Sequence, residues 1–277
     1  MAKRKGPKQQ PKREVRIVLG IPLERNITDQ AFLCLWQIAQ QGMPMIPAAY
    51  GRTELRRNDF ARQVLNQPHV THLMMLDTDH IHPVNIVQAL ARHVIADPSK
   101  LVVGALCFRR SEPYDPLMFL RAPDGELIVP GEWPDGLLKV DAIGHGAILI
   151  AREVFERIPP PWWLYPYDAD FSDPREPYTM PTEDMYFSRL CGEHGIDIWC
   201  DTTVTSPHIG QEYIDRSTYD RYVAAHPEKL VPIREKGVIA HAEVRRPVVD
   251  PGCPGAGSNG RGSAPVRIGA PDQVGAV

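Results

Sequence analysis

Hydrophobic positions fall along this chain in short runs separated by stretches of helical period, and that alternation is the first guide to the fold. The run VRIVLGI at 15–21 has the length and β-branched content of a buried strand. Thr28 then suits a helix N-cap, with Phe32, Leu35, Trp36 and Ala39 spaced to share one helical face and Gly42 placed to end it. A strand near 45–49, a helix near 58–65 and the run THLMMLD at 71–77 follow. Next come a helix opened by Pro83, carrying Ile86, Val87, Leu90 and Val94, and the strand LVVGAL at 101–106. This β-α-β rhythm predicts a parallel sheet covered by helices on both faces.

The second half changes character. Residues 138–143 alternate as a strand, Gly144-His145-Gly146 interrupts it, and AILIAREVFERI passes from strand into a short amphipathic helix. The segment 159–181 is rich in proline and aromatic residues and reads as a loop or lid. A helix from about 182 to 195 and a strand over 196–200 complete the core. The expected fold class is α/β, a Rossmann-like three-layer sandwich around a central mixed, mostly parallel sheet.

Composition sets the boundaries of that unit. Residues 1–13 carry Lys3, Arg4, Lys5, Lys8, Lys12 and Arg13 with nothing to bury, which is the make-up of a disordered basic arm. From 247 onward the chain is Gly/Pro/Ser-rich and reads as a disordered tail, leaving 14–246 as the folded domain. Lys and Arg (31) nearly balance Asp and Glu (34), so the molecule as a whole is not built to coat nucleic acid or an anionic membrane. A nucleic-acid partner would have to be met locally, through the arm. The five cysteines are odd in number, never spaced CxxC, and mostly set among apolar residues, so reduced thiols in a reducing compartment are expected. No apolar run approaches the roughly 20 residues of a membrane span, and a cytoplasmic protein is expected.

The chemistry starts from the buried-strand signature Leu73-Met74-Met75-Leu76, which delivers Asp77-Thr78-Asp79 to its carboxyl end, where open α/β sheets bind ligands. Two carboxylates one residue apart there can hold a divalent cation and leave positions open for phosphate oxygens. The structural alternative is a turn that caps the helix before Pro83. Asp168-Ala169-Asp170 repeats the spacing with no strand behind it. Gly255, Gly257 and Gly260 spell the dinucleotide pattern GxGxxG with neither strand before nor helix after, so both are set aside. P-loop, HExxH and GxSxG patterns are absent from the sequence.

Taken in order, these segments resemble the GT-A-fold glycosyltransferases, particularly the family 2-like enzymes with compact bacterial and bacteriophage members. The resemblance covers about 15–210. It is carried by the opening strand with Pro22 and Arg25; Gly51 through Arg57-Asn58; Asp77-Thr78-Asp79; GHGAILIAREVFERI; Glu183-Asp184 opening a helix; and His208 after the last strand. It implies a nucleotide-sugar donor, most simply a UDP-sugar, with Mn²⁺ or Mg²⁺ bridging the departing diphosphate. Asp79 and His208 would ligate the metal, with Asp77 supporting it or the ribose. Glu183-Asp184 corresponds to the acidic pair, Asp184 being the preferred base for the acceptor hydroxyl.

The same resemblance places Pro22, Arg25, Arg57, Asn58, Thr78, Gly144, His145 and Gly146 near the donor. One stretch departs from the family: Cys107-Phe108-Arg109-Arg110 stands where a small or aromatic residue and then a lysine are usual, so Arg109 or Arg110 would take that contact. Plain alternatives exist for each residue. Acidic residues favour the first turn of any helix, Arg57 suits a helix surface, and His145 and His208 suit turns. Trp162, Trp163, Tyr165, Tyr167, Phe171 and Tyr178 suit either sugar and base stacking or one end of the core. The acceptor, whether modified DNA, saccharide, protein or lipid head group, is not legible. Two rival functions are a metal-dependent hydrolase using Asp77, Asp79, His80, His82 and His208, and a non-catalytic nucleotide-sugar-binding protein.

Overall fold

Alternation along β3 (His72–Leu76) organises the molecule: Leu73 and Met75 face one hydrophobic layer, and Met74 and Leu76 face the other. Both faces are therefore covered, as the unbroken apolar run requires. The computed structural model describes residues 14–23, 27–46, 51–165, 182–210 and 213–227. Within them β3 belongs to a seven-stranded sheet that also contains β1 (Ile17–Gly20), β2 (Met45–Ile46), β4 (Val102–Leu106), β7 (Leu137–Val140), β9 (Ala147–Ala151) and β10 (Ile198–Thr205). The order is β2-β1-β3-β9-β4-β10-β7. β9 runs antiparallel to both β3 and β4, and β7 antiparallel to β10; the other pairings are parallel. The sheet is thus mixed and mostly parallel.

Helices α1 (Asp29–Ala39) and α3 (Ile86–Ala96) pack on the face of Met74 and Leu76. α2 (Thr53–Leu65), α4 (Arg152–Arg157) and α5 (Glu183–Glu193) pack on the other through Phe60, Val64, Val154, Phe155, Phe187 and Cys191. Burial of each such apolar side chain contributes about 1.5–3 kcal/mol. Two small sheets lie beside the main one: β6 (Leu127–Ile128), β5 (Met118–Arg121) and β8 (Ala142–Ile143) in one, and the hairpin β11 (His208–Ile209) with β12 (Tyr213–Ile214) in the other. α6 (Arg216–Ala225) follows, its first turn capped by Asp215, whose carboxylate accepts from the N–H groups of Ser217 and Thr218.

Several expectations need correction. Thr28 does cap α1, accepting from the Ala31 N–H, but the helix buries Ala31, Leu35 and Ile38, while Phe32 and Trp36 are half-exposed and stack on each other at 6.2 Å. β3 and β4 are not neighbours, because β9 inserts between them. α2 begins five residues before the expected start, and α3 begins at Ile86, three residues after Pro83. The strand expected over 138–143 is split at Asp141 into β7 and β8. The basic arm, the tail, residues 47–49 of the second expected strand, and most of the expected lid, with Asp168 and Asp170, lie outside the described residues. No described helix is long and apolar enough to cross a membrane.

Candidate active site

Two polar clusters meet where β3 ends. The ladder between β3 and β9 runs one step further, the Asp77 N–H donating to the Gly146 carbonyl at 2.9 Å. Beyond it, residues 79–82 are zipped to 206–209: the Ile81 N–H donates to the Pro207 carbonyl (2.8 Å) and the Ile209 N–H to the Asp79 carbonyl (2.8 Å). That pairing sets His80 opposite His208, their rings stacked with centroids 4.1 Å apart.

Asp79 lies against both imidazoles. Its Oδ1 is 3.0 Å from His80 Nδ1, its Oδ2 is 3.0 Å from His208 Nε2, and Arg110 Nη1 approaches the same Oδ2 at 3.3 Å. Burial would raise the Asp79 carboxyl, but the hydrogen bonds with His208 and His80 outweigh it and hold the group well below the ordinary range. His208 Nδ1 sits 2.9 Å from the Phe108 carbonyl, to which it must donate. A neutral His208 therefore turns its Nε2 lone pair toward an Asp79 oxygen, so that two acceptors face each other across 3.0 Å. Such a pair calls for a second proton or for a cation between the two, and the carbonyl behind the ring is the usual outer partner of a metal-bound histidine. Asp79, His80 and His208 are the described group whose ligand atoms lie within 4.8 Å of one another.

His80 and His82 do lie on one side, their rings stacked at 5.7 Å, although no regular strand continues there. His82 is committed elsewhere: its Nε2 bonds to the Asp77 carbonyl (2.8 Å) and its Nδ1 to the Ser206 hydroxyl (2.7 Å). Burial, reinforced by His80, pushes His82 down to about 3, so it is a neutral strut between the ends of β3 and β10. Of the five residues proposed for a hydrolase centre, the fold thus brings together three.

The second cluster surrounds Arg57, which is 1% exposed. Its Nη2 lies 3.0 Å from Asp77 Oδ2 and 3.7 Å from Asp184 Oδ1, and its Nε lies 3.6 Å from Glu183 Oε1. One guanidinium thus faces three carboxyl groups, Glu183 buried and Asp77 and Asp184 mostly so. Burial pushes Asp77 up to about 6 against the attraction of Arg57. Burial and then the neighbouring Asp184 raise Glu183, which also takes a hydrogen bond from the Tyr165 hydroxyl. Asp184 is raised by burial against Arg57 and the His145 N–H. Burial would lower Arg57 too, but Asp77, Asp184 and Glu183 together hold it charged. Asp77 Oδ1 and Asp184 Oδ1 are buried without a hydrogen bond, so acceptor capacity is left over.

The other residues singled out by the sequence fall as follows. His145 is fully buried, its backbone N–H donating to Asp184 Oδ2 (3.1 Å) and its Nδ1 accepting from the Trp163 indole (3.0 Å). Asn58 fixes the same tryptophan: its Nδ2 donates to the carbonyls of Glu54 and Trp163 (2.7 Å each), and its Oδ1 accepts from the Trp162 N–H (2.9 Å). Gly146 gives room to His80, since a Cβ would stand 2.6 Å from that ring, and Gly144 gives room to Leu117. Thr78 is buried between the two clusters, and Pro22 is buried just beyond β1. Arg109 is exposed, with its N–H on the Asp115 carbonyl, whereas Arg110 is the arginine at Asp79. Arg25 lies outside the described residues. Ser206 and the carbonyl of Phe108 were not anticipated; Ser206 stood in the sequence two residues before His208, but a backbone carbonyl leaves no side-chain signal.

No family model matches the sequence, and no curated protein matches it significantly. Solved structures do resemble the fold. A197 from STIV is 16% identical with a TM-score of 0.50, the match covering 70% of this chain and 86% of that one. GalNAc-T7, solved with UDP, GalNAc and Mn²⁺, is 15% identical with a TM-score of 0.42; the match covers 78% of this chain and 43% of GalNAc-T7, less than half its length. A glycosyltransferase involved in the glycosylation of the major capsid of PBCV-1 is 16% identical with a TM-score of 0.30, over 68% and 94% of the two chains. With helices on both faces of a seven-stranded mixed sheet, and its polar clusters gathered at the carboxyl end of a central strand, the chain has a GT-A-like α/β fold.

Proposed function

We propose that this chain transfers a sugar from a nucleoside-diphosphate donor, most simply a UDP-sugar, to a hydroxyl acceptor with the help of a divalent metal. The observation that carries the reading is the convergence of His208 Nε2 and His80 Nδ1 on the two oxygens of Asp79, each at 3.0 Å, next to a group with surplus carboxylates. Asp79 and His208 would hold the ion, and His80, bonded to the other oxygen of Asp79, would orient that carboxylate. A mixed carboxylate and imidazole set suits Mn²⁺ better than Mg²⁺, which prefers oxygen ligands. The metal supplies charge neutralisation to the departing diphosphate.

The chain's own groups do the rest. Arg110, more than half exposed beside Asp79, offers a planar fork of donors to phosphate oxygens. Asp184 keeps Oδ1 unpartnered while its other oxygen is held by the His145 N–H, so the free oxygen is the one that takes the acceptor's proton. As the acceptor oxygen bonds to the anomeric carbon, the bond from that carbon to the diphosphate oxygen breaks and the nucleoside diphosphate leaves. Burial favours this direction of proton flow, because it raises the proton affinity of Asp184. Arg57 keeps the base, Asp77 and Glu183 from repelling one another apart.

A panel of nucleoside diphosphates and their sugars, read by thermal shift with and without Mn²⁺, tests the proposal. A metal-dependent stabilisation by one nucleotide is expected, with slow release of that diphosphate when the sugar form is supplied. Lack of stabilisation by every nucleotide, with and without metal, would refute it. Acceptors for the follow-up are a saccharide and a duplex with a hydroxymethylated base, since the six cations among residues 3–13 would add salt-sensitive phosphate affinity.

A further inference from the structure

Behind Asp184 lies a largely buried hydrogen-bonded assembly, separate from the cluster around Asp79. Asn58 on α2 grips the backbone of Trp162 and Trp163. The indole of Trp163 lies flat on Phe187 of α5, centroids 4.9 Å apart and 5° from parallel, and its Nε1 points at His145 Nδ1 at 3.0 Å. His145 stands edge-on to the same phenylalanine at 5.1 Å and has no exposed surface, so its ring is confined on two sides.

An indole N–H can only donate, so His145 Nδ1 must accept, and the single proton of the neutral imidazole is assigned to Nε2, which is buried and meets no acceptor among the described residues, so the indole imposes this tautomer against a cost. Asp184 Oδ1 stands 3.2 Å from the same Nδ1, a close approach that does not meet hydrogen-bond geometry. A carboxylate oxygen gains no stabilisation from a lone pair, whereas the other tautomer, with its proton on Nδ1 and the ring turned toward that oxygen, would donate to it and favour the charged form. We propose that Trp163, acting through His145, is a positioning residue that denies Asp184 this hydrogen bond and so keeps it the stronger proton acceptor. The inference rests on Asp184 being the base, as proposed above.

Other groups face Asp184, and none of them chooses the tautomer. Arg57 lies 3.7 Å away and favours the carboxylate, while Glu183 beside it and Asp77 at the end of β3 oppose ionisation. Tyr165 and the buried Cys107 thiol are neutral neighbours raised by burial, with the acidic groups adding to it. Burial also holds His145 well below its ordinary value, which keeps it neutral and makes its tautomer the remaining variable.

The test is nitrogen and carboxyl NMR on labelled protein without donor, joined to a pH profile of donor cleavage. Wild type should show His145 as the Nε2–H tautomer between about pH 5 and 8. In Trp163→Phe, which keeps an aromatic ring on Phe187, the tautomer should change to Nδ1–H. The Asp184 midpoint and the acidic limb of kcat/KM should then both fall by about one pH unit, the worth of a hydrogen bond to a charged group. Phe187→Leu loosens the same packing but keeps the indole donor, and should leave tautomer and limb in place. An Nδ1–H tautomer or an imidazolium in wild type would overturn the proposal, a result that does not require the variant to fold. So would a slower Trp163→Phe enzyme with an unshifted limb and midpoint. If the midpoint shifts as expected but wild type cleaves no donor, the tautomer lock stands and the catalytic reading fails.

Discussion

Replacing Arg57 with methionine keeps most of the buried stem and removes the cation that, among the described residues, faces Asp77, Glu183 and Asp184 together. Breaking a buried pair from one side costs about 3–5 kcal/mol when the remaining charge cannot be neutralised. For a folded unit of about 200 residues each kcal/mol moves the melting point by roughly 2–4 °C, so the expected drop at neutral pH is roughly 6–20 °C. The carboxyl groups can escape part of that cost by taking protons, and this makes the loss depend on pH. A carboxyl whose folded pKa is raised withdraws stability as pH climbs from its unfolded value, about 4, to its folded one, and the withdrawal is complete above that.

For Asp77 the wild-type window ends at about 6. Arg57 is a lowering influence at all three carboxyls, so its removal extends the window upward for each. At about pH 4 Asp77 is protonated in the folded state, and burial favours the acid forms of Glu183 and Asp184 as well, so wild type itself carries a buried guanidinium with less to pair with. The variant should therefore lose most stability near pH 8 and little or none near pH 4. Urea unfolding in EDTA at the two pH values measures the difference. Equal losses at both, a larger loss at pH 4, or a loss below about 1 kcal/mol at pH 8 would show that Arg57 is not the compensating charge.

Asp79→Asn and His208→Ala should each abolish the Mn²⁺-dependent part of the thermal shift with UDP while leaving the metal-free melting point within a few degrees; a retained shift in either would remove that residue from the metal site. Gly146→Ala would put a Cβ 2.6 Å from the His80 ring and 2.9 Å from Cys107 Sγ, so a destabilisation of about 1–3 kcal/mol and weaker Mn²⁺ binding are expected by denaturation and titration. Asp201 is fully buried and accepts from Arg92 (2.6 Å), His93 (2.6 Å) and Thr203; burial would raise its carboxyl, but those hydrogen bonds hold it low. Its contribution is present above the unfolded value near 4 and lost as pH falls through the lower folded one, so Asp201→Asn should cost about 1.5–3 kcal/mol at pH 7 and progressively less in acid. On α1, Ile38→Ala should cost about 2–5 kcal/mol and Trp36→Ala about 1 or less, the reverse of what side-chain size alone suggests, as comparative melts would show.

What the sequence made legible was local. The alternating faces of Leu73 to Leu76, the hydroxyl of Thr28 before a helical period, and two aspartates carried on a strand end each follow from spacing within a few residues. The insertion of β9 between β3 and β4 was not legible, because strand neighbours are chosen by pairings far apart in sequence. Apolar residues on two sides of α1 led its buried face to be misassigned: Phe32 and Trp36 are larger than Ala31 and Ile38, yet it is Ala31, Leu35 and Ile38 that are buried. Arg57 reads as a surface residue within TELRRNDF, since the charges that permit its burial come from Asp77, Glu183 and Asp184, 20 or more residues away. Strands of two residues, such as β8, β11 and β12, have no period to detect.

The two aspartates of the strand end are separated in purpose by what each can pair with. Asp77 is driven toward neutrality by burial, which a guanidinium shared with two other carboxyls does not offset; Asp79 turns to two imidazoles and a half-exposed arginine, so its charge is preserved. The wall common to both is the turn from Gly144 to Gly146. Gly146 accepts the Asp77 N–H through its carbonyl and makes space for His80, which holds Asp79, while His145 between the glycines supports Asp184 with its N–H and takes Arg57 on its carbonyl. A displacement of that turn by a few tenths of an ångström would be felt at the charge-preserving and the proton-accepting halves together. Coupling of this kind suits the proposed reaction, in which negative charge would build on the leaving diphosphate as the acceptor gives up its proton, because the groups proposed to meet the two events are held by one piece of backbone.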